Sequence, residues 1–371
     1  MRERRHSAAG LTRRAVLGGL AAVAAPQLAP ARESGSLDVL AEARGLFYGS
    51  AGEGIRFADD PAYGELFLAE CGAVVPEWTM KWGRIQRQPG RFDFSDADAT
   101  VAYAQAHGLR LRCHTLFWHQ SMPGWLDGVV GEPGAWDRHV APYVEAWCGR
   151  FGRHALDMDI LNEALDPESG RTDGLRENSF TAAFGEDFVV RAFAAARRLA
   201  PEATLFYNDF GYDYAGGWAD RRRRGTLVAL ERWLKAGVPV GGLGIQAHLV
   251  NAADHRFDAR VFRRFLRDAA DLGLTIVISE LDVRESAFGR SIAERDRRVA
   301  DETRRYLDVA LDEAAVSGLM TWGLADRYTW LHDFHDPRNR GLPYDADLAP
   351  KPMRNAIARA LSGAPVRRPR T

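Results

Sequence analysis

A chain of 371 residues, 46% hydrophobic and 27% charged, has ordinary globular composition and enough apolar side chain for a large core. Its 49 Lys and Arg balance 50 Asp and Glu, so a net charge of -1 leaves no global field to attract nucleic acid. Cys71, Cys113 and Cys148 are an odd number without metal-ligand spacing, which argues against a disulfide framework; Cys113 reads as a small buried strand residue.

In chain order, residues 1–31 read as a targeting segment rather than as part of the fold. Arg2, Arg4 and Arg5 open a basic region, and Thr12-Arg13-Arg14-Ala15-Val16-Leu17 resembles a twin-arginine export signal. The apolar run from Ala15 to Ala25 is roughly 11 residues, well short of the ~20 needed to span a bilayer. Ala29-Pro30-Ala31 then supplies an Ala-x-Ala cleavage pattern. Export to the periplasm or outside the cell is the expectation, with residues 32–371 forming one domain.

The body alternates strand-like runs with helical patterns. Short strands are expected over 45–50, 73–77, 109–114, around Ile160, over 203–208, 243–248, 274–282 and 318–323. Helices are expected between them, as over 97–107, 188–199, 224–236 and 293–315. The basic run from Arg221 to Arg224 reads as a solvated helix start. Such alternation implies parallel strands with crossover helices. About eight units in ~320 residues match an α/β fold of the (β/α)₈ TIM-barrel type, as a single domain. No Gly-x-Gly-x-x-Gly follows the first strand, which weakens a dinucleotide-binding reading.

Polar residues close the predicted strands: Glu77, His114, Asn162-Glu163, Asn208, Gln246 to His248, Glu280 and Trp322. In a barrel those ends meet at one face, where active sites are built. Two strands each deliver a glutamate, Met158-Asp159-Ile160-Leu161-Asn162-Glu163 and Leu274-Thr275-Ile276-Val277-Ile278-Ser279-Glu280. Paired carboxylates across one cleft are the machinery of glycoside hydrolysis. Ten tryptophans offer flat faces that stack on sugar rings. Among them Trp125, Trp136 and Trp147 read as helix-packing residues, and His154 as a loop histidine. No metal site is expected, because neither His-x-x-x-His on a helix nor a cysteine-rich partner is present.

The chain is similar to glycoside hydrolase family 10, the retaining endo-β-1,4-xylanases, from Phe47 to about Arg359. The likeness is carried by Pro76-Glu77-Trp78-Thr79-Met80-Lys81-Trp82, His114-Thr115-Leu116-Phe117-Trp118-His119, Asn162-Glu163-Ala164 and Tyr207-Asn208-Asp209. Gln246-Ala247-His248-Leu249, Ser279-Glu280-Leu281-Asp282-Val283, Trp322-Gly323-Leu324-Ala325-Asp326 and Pro350-Lys351-Pro352 complete it. The resemblance implies that Glu163 is the general acid/base and Glu280 the nucleophile, roughly 5–5.5 Å apart, with the acid raised in pKa and the nucleophile kept ionised. It implies that His248 and Asp282 support the nucleophile. Glu77, Lys81, His114, Trp118, Asn162, Asn208, Gln246, Trp322 and Trp330 are implied to bind substrate, Asn162 at the sugar 2-hydroxyl and the last two tryptophans beneath the reacting sugar. The substrate would be xylan or xylo-oligosaccharide, taken by a monomer that needs no cofactor or metal, binds no nucleic acid and has no membrane span in the mature chain. A hydrolase of another β-glycan and an inactive exported oligosaccharide-binding protein are the alternatives.

Three positions and one segment depart from the family. Trp78 stands where an asparagine usually binds the second sugar on the non-reducing side, so that position is expected to be altered or narrowed. Met158 replaces a tryptophan and Cys113 a glycine, changes expected to affect packing and to crowd His114. Phe210-Gly211-Tyr212-Asp213-Tyr214 replaces an Asn-x-Glu pattern, which alters the leaving-group side.

Overall fold

The computed structural model describes residues 35–252 and 255–367; the targeting segment expected over residues 1–31 lies outside them. Its strands are β1 (Phe47–Ala51), β2 (Ala73–Val75), β3 (Arg110–Trp118), β4 (Ala155–Asn162), β5 (Thr204–Asp209), β6 (Gly242–Ile245), β7 (His248–Asn251), β8 (Thr275–Glu285) and β9 (Val316–Thr321). The order is β6-β5-β4-β3-β2-β1-β9-β8-β7, all parallel, and β6 also pairs with β8. β6 and β7 are two halves of one barrel strand, broken at Gln246-Ala247, where Ala247 has a φ of 59°. The sheet therefore closes into an eight-stranded barrel with helices between its strands. All eight expected strands are present, and the four expected helices appear as Ser95–Ala106, Asp187–Leu199, Gly217–Lys235 and Ile292–Ala310.

Strand parity fills the barrel. Phe47, Ala51, Ala73, Val75, Phe206, Val277, Met320 and Trp322 form one buried apolar cluster, separate from the larger layer between strands and helices. Glycines make room for its large members: a Cβ on Gly242 would lie 2.3 Å from the Phe206 ring, and one on Gly244 2.0 Å from the Asn208 amide oxygen. Beside this cluster lies a buried charge network. Arg112 is held by Asp159 and lies 3.5 Å from Asp157, with its guanidinium 4.3 Å from the centre of the Phe206 ring.

Bulges interrupt the strands that carry the two glutamates. The β4–β5 register shifts between Asp159 and Leu161, and the β8–β9 register between Ile278 and Leu281. Each lies just before a strand's polar end and changes the direction of the residues that follow.

The cysteines are buried and not joined in disulfides, Cys113 on a strand as expected. Trp147 is buried and donates to the Met80 carbonyl, Trp136 packs against Phe184, and His154 sits half-buried in a turn; each has the packing or loop role expected of it.

The basic run at 221–224 corrects its sequence reading. Arg222 and Arg223 are buried rather than solvated. Arg222 pairs with Asp209 at 2.5 Å and donates to the Phe210 carbonyl at 2.9 Å; Arg223 donates to the carbonyls of Tyr212 and Tyr214. A charge run looks solvated in sequence because its acceptors are loop carbonyls and a strand-end carboxylate, reached only once the helix docks on the barrel. Burial pushes Asp209 up to about 6 even though Arg222 and the Tyr207 hydroxyl stabilise its charge. Arg222→Met is expected to lower stability by about 3–5 kcal/mol, because it strands a buried carboxylate. A fall in denaturant midpoint at unchanged slope would register it.

Candidate active site

The C-terminal mouth of the barrel gathers the strand-end residues. Glu163 follows β4 with a φ of 54°, and its backbone N–H donates to the Asn208 carbonyl at 2.9 Å. Arg176 donates to the Glu163 carbonyl at 3.0 Å and pairs with Asp166 at 3.2 Å. This left-handed conformation costs a non-glycine residue energy, so the surroundings must hold it. The Glu163 carboxylate accepts from Gln246 Nε2 at 3.0 Å.

Glu280, on β8, is buried. Its Oε1 accepts from Asn208 Nδ2 at 2.6 Å, and its Oε2 lies 3.2 Å from His248 Nε2. His248 Nδ1 lies 3.0 Å from Asp282 Oδ1, and Trp330 Nε1 donates to Asp282 Oδ2 at 2.6 Å. Burial pushes Glu280 up, but the His248 hydrogen bond, the His114 and His248 rings and the Asn208 amide outweigh it and bring the carboxyl to about 2. Burial likewise opposes charge on His248, yet Asp282 and Glu280 raise it well above the ordinary imidazole value. The site therefore holds an ionised Glu280 against an imidazolium.

The two carboxylates are joined by one hydrogen-bonded chain. Gln246 Nε2 reaches both Glu163 Oε1 and Asn162 Oδ1 (3.0 and 3.2 Å), while Asn208 Nδ2 reaches Asn162 Oδ1 and Glu280 Oε1 (2.8 and 2.6 Å). Both also act on the ammonium of buried Lys81, which burial lowers against the pull of Glu280, Glu77 and Glu163. That ammonium lies 4.2 Å from the ring centres of Trp78 and Trp118 and 5.8 Å from that of Trp322. Glu77, raised by burial, is 3.4 Å from Arg56. His114 lies 3.0 Å from Asp159 and edge-on to Trp322, with ring centres 5.2 Å apart. The Trp330 ring is 5.1 Å from that of His248.

Asn208 is the one residue of the expected set whose placement differs in kind. It is fully buried, and its amide oxygen accepts from Ser279 at 2.7 Å while its nitrogen serves Asn162 and Glu280. Its amide is spent beneath Glu280 rather than offered to a sugar. Strand parity with Phe206 held the signal, because both point into the barrel. Ser279, Arg112, Asp159 and Arg176 were missed as supports. Only Ser279, adjacent to Glu280, could have been found from spacing alone.

A buried anionic carboxylate facing a second carboxyl, with amide and aromatic groups around both, can attack an electrophilic carbon and protonate a leaving oxygen.

The sequence signature of Glycosyl hydrolase family 10 matches residues 36–360. Endo-1,4-beta-xylanase 5 of Pyricularia oryzae is 32% identical over 326 residues, 86% of this chain and 76% of the relative. Endo-1,4-beta-xylanase B of Thermotoga neapolitana is 29% identical, over 86% of this chain and 90% of its own length. The crystal structure of xylanase 10B from Thermotoga petrophila RKU-1 in complex with xylobiose superposes with a TM-score of 0.80 at 28% identity, covering 88% of this chain and 97% of that one. Its barrel, its two strand-end glutamates and its family signature agree: the chain belongs to glycosyl hydrolase family 10.

Proposed function

We propose that the chain is an endo-1,4-β-xylanase that cleaves internal bonds of xylan or xylo-oligosaccharides with net retention. In this reading Glu280 attacks the anomeric carbon and Glu163 gives its proton to the departing oxygen. A covalent glycosyl–enzyme forms, and water then releases the sugar with Glu163 acting as base. The observation that carries the reading is the chain of amides linking Glu163 to a Glu280 held ionised by His248. Asn162 fits the 2-hydroxyl role, since its Oδ1 is taken by Asn208 and Gln246, while its Nδ2 donates one N–H to Glu163 at 3.4 Å and has a second to offer. His248 and Asp282 keep the nucleophile charged. Glu77, Lys81, His114, Trp118 and Gln246 bind the sugars on the non-reducing side, with Trp322 and Trp330 under the reacting ring.

Residues 1–31 are the export signal of this reading, residues 32–371 the catalytic domain, and the enzyme acts as a monomer outside the cytoplasm. Among the described residues no helix is long and apolar enough to cross a membrane.

The test compares beechwood xylan with carboxymethylcellulose in a reducing-sugar assay and follows the anomeric protons by NMR. Rapid release from xylan, with the β-anomer appearing first, is expected. Preference for carboxymethylcellulose, or first appearance of the α-anomer, would overturn the reading.

A further inference from the structure

Trp78 lies outside the roles above and is 37% exposed, a large apolar surface left open. Lys81 sits against its ring, 4.2 Å from the centre. A groove of about 540 Å³ is lined by Trp78 together with Ile55, Arg56, Asp59, Arg84 and Tyr328; Lys81 does not line it. The indole thus borders both Lys81 and the groove, as a partition between them. That volume falls within the roughly 300–1,000 Å³ typical of small-molecule sites.

The partition is fixed in place. The carboxylate of buried Glu53 accepts from the backbone N–H of Trp78 at 2.6 Å, from that of Thr79 at 3.3 Å and from the Thr79 hydroxyl at 2.7 Å. A platform locked in this way loses little freedom when a ligand binds. Around it stand polar groups suited to hydroxyls. The Arg56 guanidinium is positioned 4.7 Å from the centre of the Tyr328 ring and 3.4 Å from Glu77, so it links the groove to the cleft. Arg84 is paired at 3.7 Å with Asp96, and exposed Asp59 offers an acceptor.

We propose that this groove is an accessory sugar site, with Trp78 as stacking platform and Arg56, Arg84 and Asp59 as hydroxyl partners. Its ligand is a pyranose, either a further unit of the main chain on the non-reducing side or a single sugar branch beside it. The inference rests on the xylanase reading and extends it: Trp78 exchanges a hydrogen-bonded position for a stacked one and directs the substrate outward past Arg56.

The experiment measures kcat/KM for linear xylo-oligosaccharides of increasing length and for a singly branched one. The enzymes compared are the parent, Trp78→Ala, Trp78→Phe and Arg84→Ala, and xylopentaose is also titrated into each by calorimetry. In the parent, efficiency is expected to climb from xylotriose to xylopentaose. Trp78→Ala should reduce that gain about three- to tenfold, the scale of one aromatic contact, and Trp78→Phe should restore most of it. Arg84→Ala should lower the same gain while the exposed site leaves the fold intact. Loss confined to linear substrates identifies the ligand as a main-chain sugar, and loss confined to the branched one as a branch. An unaltered gain and unaltered xylopentaose affinity in both Trp78→Ala and Arg84→Ala would overturn the groove. Trp78-dependent binding by a parent that hydrolyses no xylan would keep the groove and overturn the functional reading instead.

Discussion

Glu280→Ala is expected to lower turnover of xylan and of an activated aryl xyloside on the order of 10⁵-fold, because the attacking carboxylate is gone. Glu163→Ala should behave differently. An aryl glycoside with a good leaving group does not need the proton, so the covalent intermediate should form and then wait for a base. Azide is small enough to enter the space left by the carboxylate and needs no general base. It should therefore speed turnover of Glu163→Ala and yield a β-glycosyl azide, whereas any azide that reacts in Glu280→Ala attacks from the vacated face and yields the α-glycosyl azide. The two responses separate the roles, since loss of any merely structural carboxylate would give the same azide response at both positions. Full activity in either variant, or azide rescue in Glu280→Ala with a β-product, would reverse or end the assignment.

That experiment rests on a pairing that was largely legible in sequence. Each glutamate closes an apolar run too short and too β-branched for a helix, so both arrive at the same end of a parallel barrel. What was not legible is how they are held. Asn208 was expected to face a sugar because it ends a strand, yet the bulge between Asp159 and Leu161 and the parity it shares with Phe206 turn it under Glu280. The sixth barrel strand read as one run, whereas it breaks at Ala247, and that break separates Gln246, on Glu163, from His248, on Glu280. Arg222 and Arg223 show the converse error. Local charge predicts solvent, and only docking against the 210–214 loop supplies acceptors that make burial affordable. Periodicity reports which face a residue occupies; it does not report what the neighbouring strand will offer it.

Asn208→Ala tests the holding network through pH. In the parent, Glu280 lies at about 2 against an ordinary 4.5, with burial opposing and His248, His114 and Asn208 favouring the charge. A hydrogen bond to a charged group is worth roughly 1.5–3 kcal/mol, and 1.36 kcal/mol corresponds to one pH unit. Removing the Asn208 amide should therefore move the acid limb of kcat/KM up by about one pH unit or slightly more, with His248 still protonated beside the carboxylate. Stability should follow with the same sign. A carboxyl with a folded-state pKa below its unfolded one stabilises the fold above the unfolded value, and that contribution fades as pH falls towards about 2. Because the variant depresses Glu280 less, its stability deficit should be widest above pH ~4.5 and narrow steadily below it. His248 works in the opposite sense: its raised pKa stabilises the fold below the unfolded value near 6.5 and is lost as pH climbs through the folded one. A variant with uniformly lower kcat, an unmoved acid limb and a pH-independent deficit would reduce Asn208 to a packing residue. In that case the charge on Glu280 would be held by His248 and His114, against burial.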